Sequence, residues 1–214
     1  VKAALHRRLV WRSRAWLMRL CASLMLSFAG VAAPPAAAAA ISVHAERRGD
    51  AVEIRASAAL NADAATAWRV LTDYDGFTRF IPDLLASRVV ARRGSTVTVE
   101  QSGHARLWLL RIPLHITFEV SESPPNGLRS RAVAGSIRSM ESVYLLTPTS
   151  LGVNVEYAGR VELGFDLFGR IEEYAVRENV ARQFQAMVDE IERVGATTGR
   201  ANAPERRPSA TGAQ

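Results

Sequence analysis

The sequence predicts an α+β domain: a strongly curved antiparallel sheet closed by one long C-terminal helix, with two short helices after the first strand pair. Three observations carry this. Strict apolar/polar alternation runs through Leu151, Val153, Val155, Tyr157, Gly159, Val161 and Leu163, the pattern of a strand with one wet and one buried face. The period then turns helical: Val176, Val180, Phe184, Met187, Ile191 and Val194 recur at steps of three and four and form one apolar stripe. The strands cluster between helices instead of alternating with them, which excludes a parallel βαβ sheet.

The elements follow in order. Ile41 to Arg48 and Ala51 to Leu60 flank Gly49-Asp50 and read as a hairpin. Asn61 or Asp63 caps a helix that runs to about Asp73, with Ala67, Val70 and Leu71 on one face. Tyr74-Asp75-Gly76 breaks it; Phe77, Phe80 and Ile81 follow at helical spacing, and Pro82 ends that segment. Ser87 to Arg92 and Ser95 to Gly103 are strands about Arg93-Gly94. Leu114, Ile116, Phe118 and Val120 then alternate with His115, Thr117, Glu119 and Ser121. Pro124-Pro125-Asn126-Gly127 turns the chain into strands at Leu128 to Val133 and Glu141 to Thr147. After Phe165-Asp166-Leu167-Phe168-Gly169 comes the closing helix, which Gly195 is expected to stop. Residues 196–214 read as a disordered tail.

Residues 1–40 have the layout of an export signal. A basic stretch from Lys2 to Arg19 precedes an apolar run from Leu20 to Ala33, and Pro34-Pro35 and five alanines follow. The apolar run is shorter than a bilayer span. The expected organisation is therefore a signal peptide at 1–40, a domain at 41–195 and the tail, with the mature protein exported, in the first instance to the periplasm.

Composition excludes several function classes. The net charge of +6 comes wholly from this leader, whose six basic residues face no acid; the body balances 21 basic residues against 21 acids. A nucleic-acid partner, which needs a cationic surplus, is not expected. The single cysteine, Cys21, and the single lysine, Lys2, both lie in the leader. The body thus has no thiolate nucleophile, thiolate metal site or Schiff-base lysine. No cofactor motif is present. His104 and His115 with Glu100 or Glu119 fall short of a recognisable ligand set, so no metal is expected. Glu172, Glu173 and Glu178 beside Arg170, Arg177 and Arg182 read as a solvated helix face.

The run Ala67-Trp68-Arg69-Val70-Leu71-Thr72-Asp73-Tyr74-Asp75-Gly76-Phe77-Thr78-Arg79-Phe80-Ile81-Pro82 resembles the first-helix signature of the START-like superfamily, also called SRPBCC or Bet v 1-like. Within it the chain is most similar to the polyketide cyclase/dehydrase and coenzyme Q-binding START-domain group, from about Ala51 to Val194. The resemblance implies a helix-grip fold with an apolar cavity between sheet and helix, and a hydrophobic ligand such as a lipid or quinone.

The inward faces of the predicted elements nominate Phe118, Val120, Val143, Leu145, Tyr157, Val161, Val180 and Phe184 as cavity lining, with Trp108 at its mouth. Leu107-Trp108-Leu109-Leu110, between Arg106 and Arg111, is an apolar run where a polar connection is normal. It reads first as a strand packed in the core, and alternatively as a cavity mouth that meets a membrane surface. The leading functional reading is an exported carrier, chaperone or sensor without catalysis and without a cofactor. Its rival is a cyclase/dehydrase-type enzyme acting on a polyketide-like substrate, with Tyr157, His115, His104 and Arg111 as proton-moving candidates.

Overall fold

The computed structural model describes residues 39–163 and 170–201. The leader through residue 38, the linker 164–169 and residues 202–214 lie outside it, and with them the signal-peptide expectation and most of the predicted tail. Eight strands are described: β1 (Ile41–Arg48), β2 (Ala51–Leu60), β3 (Leu84–Arg93), β4 (Thr96–Leu107), β5 (Leu110–Ser123), β6 (Gly127–Gly135), β7 (Ser139–Thr149) and β8 (Gly152–Glu162). They form one antiparallel sheet in the order β1-β2-β8-β7-β6-β5-β4-β3. Register shifts in the β3–β4 and β5–β6 pairs place extra residues on one strand, which bends and twists it. The long helix α2 (Arg170–Ala201) lies against β1, β2, β4 and the short helix α1 (Ala64–Leu71). This is the helix-grip α+β fold. No described helix is long and apolar enough to cross a membrane.

The clear alternation of β8 sets the core. Val153, Val155, Tyr157 and Val161 are buried, and opposite them stand Leu60, Ala58, Ala56 and Val52 of β2, also buried. From α2, Phe184, Met187, Val188 and Ile191 close over this floor. Asp63 caps α1, as its side-chain carboxylate accepts the Thr66 N–H at 2.6 Å. That bond holds the Asp63 carboxyl below the usual carboxylate range. Asp63→Ala is expected to cost about 1 kcal/mol in urea unfolding. Because the folded-state pKa is depressed, the cap's charge contribution is present above the unfolded value and lost as pH falls through the folded one. Asp63→Asn keeps the cap but should remove that acid sensitivity.

After α1 a 3-10 turn (Tyr74–Arg79) is pinned to β3. Asp75 Oδ1 accepts the Val89 N–H at 2.8 Å, and the Ser87 hydroxyl donates to the Tyr74 carbonyl at 2.6 Å. Edge-on contacts of Phe77 with Tyr74 and Phe80 make it an aromatic block.

Four expectations are corrected. Gly195 does not stop α2, which continues to Ala201. A Cβ at Gly195 would stand 2.9 Å from that of Ala62, so the glycine is where the helix passes closest to the entrance of α1. Thr197 and Thr198 donate back to the carbonyls of Arg193 and Val194 and carry the helix past it. Glu172 is buried and pairs with Arg47 of β1 at 3.2 Å instead of facing solvent. The run Leu107–Leu110 does not pack in the core as a strand: Leu107 is buried, but Trp108 and Leu109 form the β4–β5 turn. Trp108 is 71% exposed, Leu109 100% and Leu110 61%. The fourth correction is β7, whose inward face is Met140, Ser142, Tyr144 and Leu146, leaving Val143 and Leu145 on the convex side.

Candidate functional site

Between the sheet, the 3-10 turn and α2 lies a two-lobed cavity. The inner lobe has a volume of about 170 Å³ and the outer about 180 Å³. They share Leu84, Gln101, Phe118, Met140, Tyr157, Val180 and Gln183. Of the nominated residues, Val120 and Phe184 line the inner lobe, Val161 the outer, and Phe118, Tyr157 and Val180 both.

Three nominated residues are not brought there. Val143 and Leu145 lie on the convex face beside His44, Arg55 and Glu156. Both phases of β7 contain apolar residues, so its own pattern is ambiguous; pairing with β8 decides it by setting Tyr144 opposite Tyr157 and Leu146 opposite Val155. Trp108 is not among the lining residues and projects from the hairpin tip with a left-handed φ of 52°.

The inner lobe is apolar with a neutral polar seam. Tyr144 and Tyr157 are in tilted contact, their ring centroids 4.9 Å apart. The hydroxyls of Ser130 and Ser142 stand 2.7 Å from each other. Tyr157 lays its hydroxyl over Gly159, where an added Cβ would come within 2.5 Å of it; only glycine leaves that space. Burial pushes the Tyr157 phenol up to about 12, with the hydrogen bond from Ser142 pulling the other way. Burial, and then the neighbouring Tyr157, raise the Tyr144 phenol as well. Both phenols therefore remain protonated at ordinary pH and offer a hydroxyl, not a phenolate. Among the described residues no carboxylate, guanidinium or imidazole lines this lobe.

Pattern reading missed the roof. Tyr74, Phe77 and Ile81 line the inner lobe, and Tyr74 is fixed by donating to Glu122 Oε1 at 3.0 Å, while Arg92 holds the other oxygen. Desolvation and the Glu122 charge raise this phenol too. The signal was the aromatic run itself, too bulky for a solvated connection. The outer lobe adds Asp83 and Asn179, which alternation patterns cannot find.

The rival set for proton transfer does not converge. Tyr157 is inside, His104 borders the outer lobe, and His115 and Arg111 are exposed. Glu100 and Glu119 are engaged by Arg88 and Arg131 across the strands. Among the described residues no three His, Cys, Asp or Glu side chains group as metal ligands.

A curved sheet gripping one helix over a hollow defines a domain of the START-like, SRPBCC class. The chain belongs to the polyketide cyclase/dehydrase and lipid transport family, whose model matches residues 51–195. Solved structures with low sequence identity share the fold. A STAR-related lipid transfer protein from Xanthomonas axonopodis aligns with a TM-score of 0.59 at 19% identity, covering 71% of this chain and 93% of that one. A protein from Thermus thermophilus gives 0.58 at 18%, covering 68% and 98%. The Zhui aromatase/cyclase from a Streptomyces species gives 0.53 at 12%, covering 77% and 98%. No curated protein sequence matches the chain.

Proposed function

We propose that the protein is an exported carrier that holds one lipid or quinone-like molecule between the sheet and α2. The observation that carries this reading is the inner lobe's lining: large apolar side chains with Tyr74, Gln101, Ser130, Ser142, Tyr144, Tyr157 and Gln183 as its polar groups, all uncharged at neutral pH. Such a lining shelters apolar surface and offers hydrogen bonds to a carbonyl or hydroxyl oxygen. It supplies no group with a pKa near the working pH, as proton transfer requires. The basic-apolar-alanine leader supports an address outside the cytoplasm, next to membranes.

The test is native mass spectrometry of the protein after incubation with mixed vesicles of phosphatidylglycerol, phosphatidylethanolamine and ubiquinone. One lipid or quinone adduct per chain is expected. Absence of any adduct, or chemical conversion of a polyketide-like aromatic precursor by the purified protein, would overturn the carrier reading.

The β4–β5 tip is the proposed point of contact with the bilayer. Trp108, Leu109 and Leu110 project into solvent, and the exposed Arg111 stands beside them where lipid phosphates would lie, while Arg106 is held by Asp83. Trp108→Glu is expected to lose at least about tenfold in partitioning onto anionic vesicles while its thermal unfolding stays unchanged. Unaltered sedimentation with vesicles would end this reading.

A further inference from the structure

Three phenols line the inner lobe, and their protons are used differently. Tyr74 donates to Glu122 Oε1 at 3.0 Å, so its proton is taken. Tyr144 meets Tyr157 ring to ring, 4.9 Å between centroids, and its hydroxyl has no hydrogen-bond partner among the described residues. Tyr157 ends a chain of hydroxyls. Ser142 donates to it, which is why that bond works against the rise of the phenol caused by burial. A hydroxyl carries one proton, so in the 2.7 Å contact between Ser130 and Ser142 the donor is Ser130. The chain therefore runs from Ser130 through Ser142 to Tyr157, whose own proton has no acceptor among the described residues.

The Tyr144 hydroxyl is within reach of a ligand. Among the described residues, the fully enclosed side-chain nitrogen and oxygen atoms that lack a partner are Asp83 Oδ2 and Arg182 Nε. The unpartnered Tyr144 oxygen is not one of them, so it borders free space, and the space its side chain lines is the inner lobe. A buried tyrosine hydroxyl ordinarily finds a partner, because leaving the donor unpaired is costly.

We propose that Tyr144 is the anchor of the cavity and donates to the carbonyl oxygen of an uncharged ketone or quinone, with Tyr157 as the neighbouring second donor. The proposal rests on the carrier reading and narrows its ligand. A carbonyl oxygen has two lone pairs and no proton, which suits a pair of groups that can only give protons here. A hydrocarbon leaves both donors unpaired. An alcohol brings one proton more to a pair already short of acceptors. A carboxylate or phosphate would be desolvated against a lining that holds no cation among the described residues. The ligand's carbon frame rests on Phe118, Val120, Met140, Val180 and Phe184.

The experiment compares benzophenone, benzhydrol and diphenylmethane, which share one carbon skeleton, as competitors for a visible-emitting apolar dye bound to the protein. Tyr144→Phe keeps the ring contact with Tyr157; it is expected to weaken benzophenone about tenfold, the upper scale of one neutral hydrogen bond, and to leave diphenylmethane unchanged. In the unaltered protein the infrared carbonyl stretch of bound benzophenone should lie below its position in hexane, and Tyr144→Phe should return it toward that position. A stretch at the hexane position in the unaltered protein would overturn the anchor and leave the carrier reading standing. So would equal weakening of all three probes by Tyr144→Phe, or tighter binding of benzhydrol than of benzophenone. Failure of the dye and all three probes to bind would remove both readings together.

Discussion

Phe184→Ala is expected to destabilise the domain by about 3–5 kcal/mol, the largest effect of any single truncation proposed for this chain. Phe184 is 1% exposed, sits at the centre of the apolar stripe of α2 and forms part of the inner-lobe wall. Its removal costs the transfer energy of a benzyl group and adds a void to one already present. The opposing wall is a hydrogen-bonded sheet, so it cannot collapse to fill that void, which places the cost at the upper end. Urea unfolding followed by far-ultraviolet circular dichroism measures it. A loss below about 1 kcal/mol would mean that the helix is not held by the sheet through this residue.

Val180→Trp is expected to act in the opposite sense on stability and strongly on binding. Val180 is half-buried and lines both lobes, so a larger side chain there divides the space a ligand must occupy. Overpacking a filled core costs about 1–3 kcal/mol, whereas filling a hollow costs little or stabilises. The expected result is an unchanged or raised melting temperature with dye and lipid binding weakened about a hundredfold, the scale of losing one well-sheltered apolar group or more. Destabilisation with unaltered binding would show a closed core and remove the cavity as a site.

How much of this was legible in sequence depended on whether a residue's role is local. The β8 alternation and the α2 stripe fixed their own faces, because one phase of each is plainly apolar. The Asp63 cap was legible for the same reason, since a cap is a bond within three residues. β7 was not, since Val143 and Leu145 compete with Tyr144 and Leu146, and only its register against β8 resolves the tie. The exposed hairpin tip was misread as core because a two-residue turn normally shows glycine or asparagine, and Trp108 occupies the left-handed position instead. Asp83 and Asn179 were invisible because their meaning lies in contacts across the fold: Asn179 reaches Arg106 and Asp83 reaches Arg182. Gly195 followed the usual helix-ending rule and broke it, because the close approach of Ala62 is a tertiary fact.

Beyond its hairpin partner β1, the neighbour of β2 in the sheet is β8, so Val52 must wait for Val161 and Leu60 for Val153. Those partners lie about a hundred residues further along the chain, and α2 follows them. Until then the first hairpin has nothing to dock on, and pairings this distant form slowly. The pairings from β3 to β8 join sequence neighbours and can form first, so the seam between β2 and β8 is the one that waits on the longest loop.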